Sequence, residues 1–428
     1  MLLINKIKEN NIVRNIFSFG SATLLSAGLS FVVGVLTRNM LGPEQYGYWL
    51  TVSMLFSFVP LFQLGTVNAM NRDVPFYLAR KDYIRAQEIK NLTLSFIFTL
   101  PLFLVVIFLV ISGLLFFIDI SYEYQIGFLL ASFISFFIFL STYVEMYYKS
   151  EQNFRMASKL VSVKSVSQSL LTLLFIYFIG YEGLYIGMLL ALIIEVIMGR
   201  KSFQGFKFQF DLNKYKKLIE TGFPILLVGL IWSILIASDR LIITIFMTPE
   251  DLGNYGVGML IFNSIMLLPQ VIGQVFYPKV VELVSMQNYK EIYRQYLRVN
   301  SFLAILMALL ILVLYLVFPL FVNLFIPDYN RGVSAGQVLI LGIYPLTLVN
   351  FAANYFNATK NHKVYFLIQV ITIFINIILC IIFISIHFDI VSIAWATSIS
   401  YFLYSIIMNY CFLSKIKQVT IQPHHKVS

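Results

Sequence analysis

The residues of this sequence best placed to do chemistry are charged side chains lodged inside apolar runs. Asp239 and Arg240 stand side by side in the run Leu218–Phe246, Glu145 in Tyr124–Tyr147, Lys164 in Leu160–Ile179 and Glu195 in Leu184–Met198. Arg38 follows the first run, and Arg72 with Asp73 opens a basic stretch after the second. A charge in hydrocarbon costs at least ~2.5–3.5 kcal/mol on insertion scales, so each of these positions needs a reason. A guanidinium such as Arg240 suits an anion contact, because its planar fork stays charged and presents five donors. A carboxylate such as Asp239 suits a coupling ion or a proton. Consecutive helical residues point to different sides, so this pair is not expected to cancel itself; one or both should face the bundle interior or water. Glu145 and Lys164 each lie within about two turns of the loop that joins their helices. At that depth they can pair across a helical hairpin, and a structural pair and a substrate site both remain open for them. Glu195 is expected to reach toward Arg200 at the interface.

The rest of the chemical inventory is negative. His362, His387, His424 and His425 have no partner at ligand spacing, and Cys380 and Cys411 match neither a metal site nor a disulfide framework. There is no nucleophile elbow, phosphate-binding loop or paired-histidine helix motif. Neither an enzyme nor a cofactor or metal is expected.

The elements that must position these charges follow from composition. Of 428 residues, 59% are hydrophobic and 12% charged, against roughly 25% charged in a water-soluble chain, and mean hydropathy is +0.85. Lipid must be the solvent. A span needs about 20 mainly apolar residues. On that criterion twelve appear: Asn15–Thr37, Tyr46–Met70, Leu92–Phe117, Tyr124–Tyr147, Leu160–Ile179, Leu184–Met198, Leu218–Phe246, Leu252–Tyr277, Val299–Phe325, Val333–Phe356, Val364–Ile386 and Ile390–Leu413. The first lacks a small-residue cleavage pattern and reads as a retained span, not a signal peptide.

Lysine and arginine in the short loops set orientation. One set of segments carries Lys6, Lys8 and Arg14, then Arg72, Arg80, Lys81, Arg85 and Lys90, then Lys149, Arg155 and Lys159. It continues with Arg200, Lys201, Lys207, Lys214, Lys216 and Lys217, then Lys279, Lys290, Arg294 and Arg298, then Lys360 and Lys363, then Lys415, Lys417 and Lys426. The alternate loops hold only Arg38 and Arg331, beside acids such as Glu44, Asp119, Glu182, Glu250 and Asp389. Both termini are therefore expected in the cytoplasm. The net charge of +10 is a topology signal reinforced by anionic lipid heads, so no nucleic-acid partner is expected.

The chain also repeats itself. Leu41-Gly42-Pro43-Glu44-Gln45-Tyr46-Gly47-Tyr48-Trp49 is echoed by Met247-Thr248-Pro249-Glu250-Asp251-Leu252-Gly253-Asn254-Tyr255, about 206 residues on. Proline stops one helix and glycine permits the reversal before the next, and Trp49 and Tyr255 are expected at the membrane interface. Asn153 and Arg155 are answered by Asn361 and Lys363. The expected fold is all-α: a polytopic membrane protein of twelve transmembrane helices in two parallel six-helix repeats, related by an axis along the membrane normal. The lobes are residues 1–199 and 218–413, joined by a basic cytoplasmic linker at 200–217 and followed by a tail at 414–428. The loops are too short to hold a catalytic or nucleotide-binding domain.

Arg38-x-x-Leu41-Gly42-Pro43-Glu44-x-Tyr46-Gly47 after a first span resembles the start of Wzx-type polysaccharide flippases, O-antigen transporters of the multidrug/oligosaccharidyl-lipid/polysaccharide exporter superfamily. Gln63-Leu64-Gly65-Thr66, Asn71-Arg72-Asp73, Gln152-Asn153-Phe154-Arg155 and the glycines Gly180, Gly183 and Gly187 are similar to the same pattern. The resemblance covers essentially the whole chain. It implies a flippase of the bacterial inner membrane that moves undecaprenyl-pyrophosphate-linked oligosaccharide repeat units by alternating access, through a cavity between two lobes lined by cations. Polysaccharide polymerase and chain-length proteins would be its partners. On this reading Arg38, Arg72, Lys164 and Arg240 would bind the diphosphate-linked substrate, and Asp239 and Glu145 would couple an ion. Gln63, Asn68, Asn71, Gln270 and Gln274 would meet sugars or neighbouring helices, and Pro224, Pro269 and Pro345 would let their helices bend. The rival on the same fold is an ion-coupled multidrug exporter, which predicts an acid-rich cavity instead of these cations. A membrane-embedded glycosyltransferase would need a large outer loop that the sequence lacks.

Overall fold

In a computed structural model the chain is helical almost throughout, with no strand among the described residues. The backbone is described for residues 2–421 apart from Lys360, and the side chains for residues 28–418 apart from Gln274, Val275 and Lys360. Lys6, Lys8, Arg14, His424, His425 and Lys426 therefore lie outside the described side chains. The chain divides into two compact units, Met1–Leu230 and Ile231–Ser428.

The first unit is built from α1 (Leu2–Phe58), α2 (Thr66–Ala79), α3 (Tyr83–Ile97), α4 (Leu100–Leu114), α5 (Tyr122–Ser150), α6 (Phe154–Ile179) and α7 (Glu182–Met198), followed by most of α8 (Leu212–Leu235). The second contains α9 (Ser238–Phe246), α10 (Pro249–Ser285), α11 (Tyr289–Phe325), α12 (Val333–Thr347), α13 (Asn350–Ala358), α14 (His362–Ile386) and α15 (Ile390–Ile421). Among the described residues eight helical runs are long and apolar enough to cross a membrane, and two bent pairs raise the number to ten. The protein is a multi-pass, all-helical membrane protein.

Backbone chemistry accounts for the helix ends. In α1 the only non-helical residue is Gly42 (φ 74°, ψ 172°), and Pro43 begins the second arm. Thr248 and Asp251 form a reciprocal capping box at the start of α10, with Pro249 as its first residue. Asp82, Asn153 and Asn288 each accept the backbone N–H three residues on, capping α3, α6 and α11. Such a cap is worth ~1 kcal/mol. Each is preceded by a left-handed residue, Lys81, Gln152 and Gln287. Lys81 and Gln287 are separated by the same spacing as Pro43 and Pro249, so the repeat extends to a turn that sequence comparison alone had not paired.

Four runs expected as single spans are broken. The run Tyr46–Met70 is interrupted at Leu64 and Gly65, both at positive φ, and the helices on either side differ in direction by 52°. Leu92–Phe117 is broken at Phe98 and Thr99; Pro101 has no N–H to return to the Ile97 carbonyl, so α3 cannot continue through it. Leu218–Phe246 is interrupted at 236–237, between α8 and α9. Val333–Phe356 bends by 41° between α12 and α13.

Two close approaches organise the first unit. Gly180 (φ 68°) turns α6 back into α7, and a Cβ on Gly183 or Gly187 would overlap the α6 backbone at Phe175, Ile176 and Thr172. A Cβ on Gly222 of α8 would overlap the carbonyl of Gly65. The stretch 200–217 lies along the same unit: the Gln209 N–H donates to Ser95 Oγ at 2.9 Å, Lys214 Nζ meets Glu88 Oε1 at 2.5 Å, and Tyr215 packs edge-on against Phe96.

Candidate functional site

Each unit holds a polar cluster set among apolar helices. In the first unit the α6–α7 hairpin decides the geometry. Lys164 and Glu195 lie nearly equal numbers of residues from the turn at Gly180, so the tight glycine packing brings them level. Lys164 Nζ is 3.2 Å from Glu195 Oε2 and 3.8 Å from Glu145 Oε2. Lys149 Nζ bonds Glu145 Oε1 at 2.6 Å. Ser141 Oγ donates to Glu195 Oε2, and Lys164 Nζ donates to Ser141 Oγ at 3.3 Å. Glu195 is fully enclosed, and its Oε1 has no hydrogen-bond partner. The hairpin pair expected between Glu145 and Lys164 is present. The expectation that Glu195 reaches out toward Arg200 is corrected: the residue turns inward, because the register of α7 on α6 offers it an ammonium.

In the second unit the helix break at 236–237 creates the cluster. Asp239 lies in the first turn of α9, is 1% exposed, and accepts the Arg240 N–H at 2.7 Å and the Tyr255 hydroxyl at 2.5 Å. The positive end of a helix stabilises a carboxylate there. The guanidinium of Arg240 makes only a long ion pair with that carboxylate, with Nε 4.0 Å from Oδ1 and about a fifth of its side chain accessible. Its Nη2 instead donates to the Ile236 carbonyl at 3.0 Å, at the break itself. The ion pair between the two side chains is therefore a loose one. Beside them Ser238 Oγ donates to Asn376 Oδ1 at 2.8 Å, and Asn376 Nδ2 reaches Thr397 and Ser400, both at 3.3 Å.

Arg38 is 3% exposed, donates from Nη1 to the Gly34 carbonyl at 2.7 Å and stacks 4.2 Å over the Tyr46 ring. It is enclosed within its unit. Arg72 is largely exposed and 3.4 Å from Asp73. Lys90, grouped above with the loop cations, is instead buried on α3 and bonded to Glu151 at 2.6 Å. Gln63 serves helix packing, its Nε2 donating to the Phe139 carbonyl at 3.3 Å. Asn350 and Asn354 of α13 donate to the carbonyls of Pro269 and Gly273 on α10, at 2.9 and 3.1 Å. Both α8 and α10 run through their prolines, Pro224 and Pro269, and Pro345 lies inside α12.

Glu195, Ser141, Tyr255, Ser238, Asn376, Thr397 and Ser400 are residues whose part in these clusters the sequence reading missed. A signal existed for one of them. Gln369, Thr372, Asn376 and Cys380 recur at helical spacing in an otherwise apolar run, which puts a polar stripe on one face of α14. Tyr255, expected at the membrane interface, turns inward and is fully buried, while Trp49 is half-buried and packs edge-on against Tyr185. No group of three or more metal-ligating side chains occurs among the described residues.

A family model described as polysaccharide biosynthesis protein matches residues 12–284. No curated protein matches the chain. Among solved structures the chain is similar to a multidrug resistance MATE family transporter of the MOP superfamily in an inward-facing conformation. That match has 14% identity and a TM-score of 0.78, over 94% of this chain and 96% of that one. It is also similar to the lipid II flippase MurJ in an inward closed conformation, at 17% identity and TM-score 0.71 over 96% and 93%. A third likeness is to the Vibrio cholerae MATE transporter VcmN, at 12% identity and TM-score 0.67 over 96% and 98%. At these identities the likeness is one of fold, and the neighbours are transporters and flippases.

Proposed function

The chain belongs to the polysaccharide biosynthesis protein family, and from that premise we propose that it flips a polyprenyl-diphosphate-linked oligosaccharide, of the O-antigen kind, across the bacterial inner membrane by alternating access. A sugar chain and a diphosphate cannot cross hydrocarbon unaided at a useful rate, since each polar group stripped of partners costs several kcal/mol. A cation-bearing polar path lowers that barrier while the lipid tail stays in the bilayer. The observation that carries the reading is Arg240: a partly accessible guanidinium inside an apolar span, held at a helix break, whose neighbouring carboxylate is already engaged by Tyr255. On this reading the remaining donors of its fork take the anion. Lys164 and Arg38 supply further positive charge, and Arg72 receives the diphosphate at the cytoplasmic end. Asp239, and Glu145 beside its two lysines, are the sites at which a proton or another ion couples.

On this reading the chain has twelve spans and cytoplasmic termini. The two beyond the ten counted above come from dividing α1 at Gly42 and from α7, whose 17 residues span ~25 Å. Polymerase and chain-length proteins would take the flipped unit onward.

The test is lipid-linked glycan accumulation in cells lacking the protein, with wild type or Arg240→Ala restored. Wild type should release the polyprenyl-linked unit trapped by the deletion, and a normally inserted Arg240→Ala should not. Intact surface glycan together with raised drug sensitivity in the deletion would replace this reading with a drug exporter.

A further inference from the structure

A groove of about 440 Å³ opens on the second unit between α11, α12 and α15. Its rims are apolar and about half exposed, at Leu297 on α11 and at Phe402 and Ile406 on α15. Along α11 the exposed surface continues as Ile305, Leu309, Leu312 and Leu316, so the groove looks out into hydrocarbon. Its floor is polar. Tyr296 donates to Asn409 Oδ1 at 3.0 Å, and the amides of Asn300 and Asn409 both donate to the Leu348 carbonyl, at 3.2 and 3.3 Å. Asn300 Oδ1 is enclosed with no hydrogen-bond partner, and Ser301 lies exposed on the same wall. The amide donors and the phenol are engaged within the floor, whereas the exposed Ser301 hydroxyl faces the groove, and polar surface turned toward lipid is unfavourable; this wall suits a ligand with polar atoms of its own.

Charge at one end of the groove narrows the ligand. At 100° per residue, the face of α11 that carries Leu297 and Asn300 continues through Tyr293 to Lys290. On α15 the face of Phe402 and Asn409 continues through Leu413 to Lys417. Both lysines are exposed. They lie 8–10 residues from the amides, roughly 12–15 Å along the helices, and a lysine stem can fold back over part of that distance. A polyprenyl chain is hydrocarbon throughout and would offer nothing to the Ser301 hydroxyl. A glycerophospholipid has ester and glycerol oxygens just below its phosphate, at the depth of the serines and amides. Juxtamembrane lysines attract an anionic head by about 1 kcal/mol each.

We propose that this groove binds one anionic glycerophospholipid, with its phosphate between Lys290 and Lys417, its ester groups over Asn300, Ser301 and Asn409, and its acyl chains along α11 and α15. The site is independent of the transported substrate.

Native mass spectrometry of the full chain in mild detergent, with equal phosphatidylglycerol and phosphatidylethanolamine, tests this. Wild type should retain one phosphatidylglycerol at least ~5-fold over phosphatidylethanolamine, a preference worth about 1 kcal/mol. Joint replacement Lys290→Gln and Lys417→Gln should bring the ratio close to one. Ala304→Trp, which fills the groove and leaves the lysines in place, should remove the adduct. Ser301→Leu serves the same end if Ala304→Trp fails to elute as a folded protein. The proposal is overturned by a wild type with no preference between the two lipids, or by a groove-filled variant that keeps the adduct. It is equally overturned if polyprenyl phosphate at equal concentration displaces phosphatidylglycerol and takes its place.

Discussion

The hydroxyl of Tyr255 donates to the buried carboxylate of Asp239 at 2.5 Å, from the second turn of α10 to the first turn of α9. Tyr255 belongs to the repeated hairpin motif and Asp239 does not, so the repeat was adapted in the second unit to hold a charge. The bond engages the carboxylate directly, while the adjacent guanidinium keeps a longer contact of 4.0 Å with it.

Tyr255→Phe should therefore destabilise the second unit. Hydrogen bonds to charged groups contribute about 1.5–3 kcal/mol, and for a unit of this size each kcal/mol corresponds to roughly 2–4 °C in thermal midpoint. Asp239→Asn keeps a partner for the phenol and should cost less. A melting curve in detergent checks both, and equal losses for the two variants would refute the assignment of Tyr255 to the carboxylate.

The charges at depth were legible in the sequence because hydrocarbon makes any charge conspicuous, as with Lys164 and Asp239-Arg240. The multi-pass helical architecture and the Pro43–Pro249 repeat were legible for the same reason: composition and spacing carry them. Pairing was not, where it depends on register. Glu195 meets Lys164 only because Gly183 and Gly187 let α7 lie directly on α6, and nothing in an apolar run states that distance. The helix breaks were also hidden. The run through Ile236 and Ala237 is as apolar as its neighbours, and hydropathy does not distinguish a bent backbone from a straight one. Tyr255 was misplaced because an aromatic beside a turn suits either water's edge or a buried partner, and only the fold chooses.

Lys164→Met should cost more than its own contacts suggest, because it strands Glu195 in an enclosed site. Removing one partner of a buried ion pair costs about 3–5 kcal/mol. Lys164→Met with Glu195→Gln should recover most of that stability without recovering glycan release, since the cation is still missing. A double-mutant cycle on thermal midpoint, run beside the complementation assay, separates the two effects. If stability and release return together, Lys164 is only structural.

Two glycines of α8 should respond oppositely to alanine. At Gly222 the added methyl meets the Gly65 carbonyl, and Gly65 is itself held at φ 79°. Overpacking of this sort costs about 1–3 kcal/mol. At Gly229 no atom lies within 4 Å of an added Cβ, so Gly229→Ala should stabilise the helix by about 0.5–1 kcal/mol. Thermal midpoints of the two single variants decide this, and a tolerated Gly222→Ala would mean that α8 is not clamped at Gly65.

Arg240 should tolerate neither loss of charge nor a change in its shape. Its guanidinium spends one nitrogen on the Ile236 carbonyl at the helix break, and about a fifth of the side chain stays accessible. Arg240→Gln removes a charge-assisted contact worth about 1.5–3 kcal/mol, so release of the lipid-linked unit should fall by about 10- to 100-fold. Arg240→Lys keeps the charge, but a single ammonium cannot hold the carbonyl and an anion in the same geometry. It should recover only part of the activity. Lys216→Gln is the control: Lys216 is 76% exposed and 4.0 Å from Glu220, and an exposed pair of that kind contributes at most about 1 kcal/mol. It should release glycan as the wild type does. The readout is the ratio of cytoplasmic-side to released lipid-linked glycan at matched membrane abundance. Should Arg240→Lys match wild type, the group acts as a point charge and the carbonyl contact at the break plays no part in transport.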